Sequence, residues 1–75
     1  MHFRELVSVA PAVRFTCFVY MDGAFRQWFP SKFAKGMNQL DQIGSELKKA
    51  QVPILDNRIY RVQPTEHNYM NVYLY

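Results

Sequence analysis

The chain has 75 residues, nine Lys+Arg against six Asp+Glu, a formal net charge of +3 and 49% hydrophobic residues. One small domain over 1–75 fits, because domains usually run to about 100–150 residues and disorder needs low hydrophobicity with high net charge. Cys17 is the only cysteine, which excludes an internal disulfide, and His2 and His67 lie far apart with no cysteine pair beside either, which argues against structural zinc.

Residues 3–9 favour an extended segment, because Val7 and Val9 are β-branched and Pro11 closes the run. Residues 13–21 and 24–29 read as a hairpin around Asp22-Gly23. A type I′ turn needs positive φ at both central positions, and Asp-Gly supplies it. A two-residue turn sets Met21 against Ala24, Val19 against Arg26 and Cys17 against Trp28. One side then carries Val13, Phe15, Cys17, Val19, Met21, Ala24 and Trp28, with Arg26 its only charge. The other carries Arg14, Thr16, Phe18, Tyr20, Phe25, Gln27 and Phe29.

Ser31 suits a helix N-cap, and Phe33, Met37, Leu40, Ile43, Leu47 and Ala50 form one helical stripe, which predicts a helix over 32–51. Gly36 and Gly44 lie on or beside that stripe, so the backbone is expected close to the sheet there, with room for the Trp28 ring. Pro53 ends the helix. Residues 58–63 read as a third strand entered through Asp56-Asn57, and 64–68 as a loop. In 69–75, Met70, Val72 and Leu74 alternate with Tyr69, Asn71, Tyr73 and Tyr75, the pattern of a half-buried strand.

The expected architecture is α+β: an antiparallel sheet of four or five strands in ββαββ order, with one helix packed on one face. The expected core is Phe15, Cys17, Val19, Trp28, Phe33, Met37, Leu40, Ile43, Leu47, Met70, Val72 and Leu74. One helix covers one face. The other would display Phe18, Tyr20, Phe25 and Phe29 with Tyr69, Tyr73, Tyr75 and Arg14, in a chain that is 16% aromatic. Strict alternation puts Arg58 and Arg61 on opposite sides of the third strand, so one of them joins that face.

Exposed aromatic patches mark interaction sites, and Tyr and Arg are enriched among binding hot spots. Tyr20, Phe25, Tyr69, Tyr73 and Arg61 are therefore the candidate partner contacts. Three readings compete: docking on a protein or nucleoprotein complex through this face or the free edge of the last strand, single-stranded nucleic-acid binding, and pairing as a homodimer. Arg14–Met21 shares a basic first residue and Phe18-Val19 with the strand signature of RNA-recognition motifs. It lacks that signature's second-position glycine, has Met21 in place of an aromatic, and belongs to a chain with one predicted helix where that fold needs two.

No catalytic constellation or cofactor motif is present, so a non-enzymatic protein is expected. Cys17 falls on the core side, and only Arg58, Arg61, Lys48, Lys49 and His67 could serve a nuclease. The longest uninterrupted apolar run, Cys17–Met21, is far short of the roughly 18–20 residues that span a bilayer. Met1–Ala10 contains His2, Arg4 and Glu5 and makes no signal-peptide core, so a cytoplasmic protein starting at its natural methionine is expected.

In format the chain resembles small phage-encoded inhibitors of host defence such as anti-CRISPR proteins: a short chain, one layer of sheet, one helix, no catalytic group and an aromatic face. The resemblance implies binding to a large host complex and obstruction of its nucleic-acid or nuclease sites, in the host cytoplasm. It carries over no particular residues.

Overall fold

The computed structural model describes residues 1–28, 44–49 and 52–75. Within them the order is α1 (Phe3–Val9), β1 (Arg14–Met21), β2 (Ala24–Gln27), α2 (Gly44–Lys49), a 3₁₀ turn (Pro53–Asp56), β3 (Ile59–Pro64) and β4 (Tyr69–Leu74). The fold is α+β, with a four-stranded sheet in the order β2-β1-β4-β3.

The first hairpin follows its turn chemistry. Asp22 and Gly23 take φ values of 53° and 85°, as a type I′ turn requires. Met21 faces Ala24 and Val19 faces Arg26. The Trp28 N–H donates to the Cys17 carbonyl at 2.8 Å. β3 and β4 form the second hairpin, whose loop ends on Asn68 at φ 62°. The Asn68 carbonyl accepts the Arg14 N–H at 2.8 Å, which ties that loop to the start of β1.

The sheet is mixed rather than wholly antiparallel. Both hairpins are antiparallel, but β1 and β4 run parallel, in register from Arg14↔Tyr69 to Val19↔Leu74. Alternation assigns the two faces of a strand and says nothing of its neighbour's direction. The parallel register sets Phe15, Cys17 and Val19 against Met70, Val72 and Leu74, so one side of both central strands is apolar. β4 is interior, which corrects the expectation that the last strand offers a free edge. The edges are β2 and β3. The entry to β3 is blunted: its Ile59 N–H donates to the Met1 carbonyl at 2.8 Å, and His2 bridges Arg58. Pro64, the last residue of the strand, has no N–H to offer another chain.

Residues 3–9 form α1, not an extended segment. Phe3, Leu6 and Val7 recur at helical spacing, and Phe3 and Val7 are fully buried. Val9, whose β-branch favoured a strand, is 73% exposed. The His2 N–H donates to Glu5 Oε1 at 2.9 Å, which satisfies a donor at the helix start. That backbone hydrogen bond, joined by one from the His2 ring, holds the Glu5 carboxyl below its ordinary range. Pro11 follows the last turn, where the Ala10 N–H closes on the Leu6 carbonyl at 3.0 Å. A helix this short is not stable alone; its anchor is the Phe3 ring, set edge-on to Phe15 with centroids 5.2 Å apart.

Of the helix expected over 32–51, residues 44–49 are helical. The remainder, with Phe33, Met37, Leu40 and Ile43, lies outside the described residues. The layer over the apolar sheet face is thus not one helix: α1, α2 and the 3₁₀ turn all contribute to the core. Phe15, Cys17, Leu47, Val72 and Leu74 are buried as expected, with Val19, Trp28 and Met70 packed around them. Phe3, Val7, Val52, Ile54 and Leu55 complete the core without having been expected there. Pro53 opens the 3₁₀ turn, which drives Ile54 and Leu55 inward.

Gly36 lies outside the described residues, while Gly44 does mark a close approach, its nearest neighbours being Ala10 and Phe15. A Cβ there would fall 2.5 Å from the Ala10 carbonyl oxygen and 3.2 Å from the Phe15 ring. The Gly44 N–H donates to the Val13 carbonyl at 2.9 Å and the Ser45 N–H to that of Pro11 at 3.1 Å, so the start of α2 is clamped to the segment entering β1. In an open helix Gly→Ala would stabilise by up to about 1 kcal/mol. Here Gly44→Ala is expected to destabilise by about 1–3 kcal/mol, because backbone must move. Urea unfolding of the two proteins reads the sign directly.

Candidate functional site

The face of the sheet turned away from the core carries a connected set of rings. Phe18 and Tyr73 are direct partners across the β1–β4 pair, and their rings stack at 4.9 Å and 14°. Tyr20 and Phe25 are partners across the first hairpin and meet at 5.3 Å and 73°. Phe25 also touches Tyr73 edge-on at 5.4 Å and Tyr60 at 5.2 Å. Tyr60 in turn meets Tyr75 edge-on at 5.4 Å. Rings from the two edge strands therefore join above the central pair.

Tyr73 is the hub. Its hydroxyl donates to Gln63 Oε1 at 3.5 Å, and the Arg61 guanidinium carbon lies 4.3 Å above its ring. A cation over an aromatic face is attracted by the ring quadrupole, by about 0.5–1 kcal/mol at exposed sites. Phe18 on β1 and Arg61 on β3 are the cross-strand partners of Tyr73 on either side, so the ring stands between them.

These rings are not interior. Tyr20, Tyr60 and Tyr75 are 49%, 54% and 57% exposed, with Phe18, Phe25 and Tyr73 half-buried among them. Tyr20, Phe25, Tyr73 and Arg61 come together as one cluster. Tyr69 lies on the same face but at the opposite end of β4, beside Arg14, and contacts no ring among the described residues. Phe29 lies outside the described residues.

Tyr60 is the member that sequence reasoning missed. Strict alternation places it opposite Arg61. The β3–β4 register slips between Ile59 and Arg61, so Ile59 faces Leu74 on the core side while Tyr60 and Arg61 both contact rings of the open face. Such a bulge adds one residue to a strand and re-aims its side chains. Ile-Tyr-Arg-Val contains no glycine or proline that would have announced it.

Of the basic groups considered for a nuclease, the two lysines and Arg61 lie on opposite sides of the sheet. Lys48 and Lys49 are exposed on α2, on the core side of the sheet, while Arg61 is on the open face. His67 sits in the exposed β3–β4 loop. Cys17 is buried, and desolvation pushes its thiol far above the ordinary range. Among the described residues no group of three or more His, Cys, Asp or Glu could hold a metal ion, and no helix is long and apolar enough to cross a membrane. Comparison with known proteins finds no matching family model, no matching curated protein and no matching solved structure.

Two outcomes follow from this geometry. Native protein at mildly alkaline pH should resist alkylation by iodoacetamide and become labelled at Cys17 only on unfolding, as mass spectrometry would read. Tyr73→Ala, which removes the hub, should cost about 1.5–3 kcal/mol in chemical denaturation, against less than about 1 kcal/mol for Tyr20→Ala at the rim.

Proposed function

We propose that this chain is a non-enzymatic macromolecule-binding protein, an inhibitor that docks its open aromatic face on a host protein or nucleoprotein complex and acts by occlusion. The observation that carries the reading is the connected ring cluster, exposed at Tyr20, Tyr60 and Tyr75 and braced from within by Tyr73. Large amphipathic rings that are already ordered lose little freedom when a partner covers them. The short chain, single layer of sheet and aromatic face, in which it resembles small phage-encoded inhibitors, support the same reading, with action in the cytoplasm, a host's where the protein is phage-borne.

Ring orientation favours a protein partner over single-stranded nucleic acid. A platform for bases needs free ring faces. Here Phe18 and Tyr73 cover one another, Arg61 lies over Tyr73, and the remaining rings meet mainly edge to face. In this reading Tyr20, Phe25 and Arg61 are partner contacts, Tyr60 and Tyr75 join them, Tyr73 supports the cluster, and Tyr69 contributes from the far end of β4.

Side-by-side capture from host lysate tests the proposal. A specific partner should be retained by the native protein and lost by Tyr20→Ala/Tyr60→Ala at unchanged fold, with each anchor worth on the order of 1–3 kcal/mol. Equal retention by both proteins overturns it. Gel-shift titration with an oligonucleotide at low salt addresses the nucleic-acid alternative, whose affinity should fall steeply with added salt. Light scattering over a concentration series addresses the homodimer.

A further inference from the structure

We infer that the partner surface recognised by this face is acidic: a protein patch whose carboxylates reach Arg61 while its apolar groups cover the neighbouring tyrosines. The inference rests on the docking reading above and names the chemistry of what docks.

Among the described strand residues of this face, charge is one-sided. These residues are Arg14, Thr16, Phe18, Tyr20, Phe25 and Gln27 on the first hairpin, and Tyr60, Arg61, Gln63, Tyr69, Asn71 and Tyr73 on the second, with Tyr75 following β4. None is Asp or Glu. The ion pairs His2–Glu5 and Arg4–Asp56 both lie elsewhere. Among the described residues Arg61 therefore meets no carboxylate, and its positive charge lies against the Tyr73 ring.

A guanidinium laid on an aromatic face keeps its in-plane N–H donors available, because the ring engages the π surface and not the hydrogen-bonding edge. The same contact restrains a side chain that would otherwise lose substantial rotamer freedom on binding. The Tyr73 hydroxyl, tied to Gln63, keeps the ring itself in place. A planar, pre-positioned donor fork ringed by exposed tyrosines matches a carboxylate set among apolar groups. A second copy of this face would instead bring its own Arg61 and no carboxylate from these strands, so self-pairing lacks the complement. Phosphate would satisfy the fork as well, but the ring beneath it, Tyr73, is already stacked on Phe18 and offers a base no free face.

Isotope-labelled full-length protein, titrated in NMR with a soluble synthetic peptide of Glu, Leu and Gly, tests this. Its twin with Gln for Glu and an oligo(dT) strand are run in parallel. The acidic peptide should shift the Tyr60, Arg61, Tyr73 and Tyr75 resonances. Affinity should fall about tenfold for the Gln twin and about tenfold for Arg61→Gln, with Arg61→Lys between. Unfolding midpoints establish that both variants remain folded. Equal binding of the Gln twin overturns the acidic assignment and leaves aromatic docking standing. Shifts on this face with oligo(dT) alone overturn the assignment in favour of nucleic acid. No shift on this face with any probe overturns both the assignment and the docking reading.

Discussion

The register of the central parallel pair governs both sides of the molecule at once. Cys17↔Val72 and Phe18↔Tyr73 are successive rungs of one ladder. The first is fully buried and the second stacks on the open face. Because side chains alternate with a period of two, a slip of one residue in either strand would turn Val72 or Cys17 outward and drive a tyrosine or phenylalanine into the core. The apolar set Phe15, Cys17, Val72 and Leu74 thereby holds the rings in place without touching them. Core and candidate site are two readings of the same register.

That register is in turn secured from outside the sheet. Asn57, Arg58 and Ile59 form a junction at which the first and last residues of the chain meet. The Phe3 N–H donates to the Asn57 carbonyl at 2.9 Å and the Ile59 N–H to that of Met1 at 2.8 Å. On the other side, the Tyr75 N–H donates to the Arg58 carbonyl at 3.0 Å, and Asn57 Nδ2 donates to the Tyr75 carbonyl at 2.7 Å. The same few residues thus seat α1 on the core and hold Tyr75 where its ring can meet Tyr60. A small domain without disulfides depends on such shared junctions, since its buried area alone stabilises it only marginally.

The ring cluster differs in kind from a row of exposed aromatics. The bulge in β3 brings Tyr60 and Arg61 to one side, Phe25 reaches across from the opposite edge, and Tyr73 is held on several sides at once. Side chains ordered in this way are presented in a defined arrangement, which suits recognition of a shaped surface. They are also interdependent, so effects of substitutions within the cluster will not add.

Much of this was legible in the residues. Asp22-Gly23 determined the first hairpin and its register, because few other dipeptides take two positive φ values at low cost. The alternations in 13–21 and 69–75 determined which side chains share a face, and so separated Cys17, Val72 and Leu74 from Phe18, Tyr20 and Tyr73. Residues 3–9 were misleading because β-branching is a weak preference, and the Phe3-Leu6-Val7 spacing prevails only where Phe15 waits to receive it. The direction of β4 beside β1, the approach of Gly44 to Ala10 and the bulge that turns Tyr60 outward were decided by tertiary structure alone. Each depends on what lies across a gap from the residue concerned, and local sequence encodes a residue's preferences but not its neighbours.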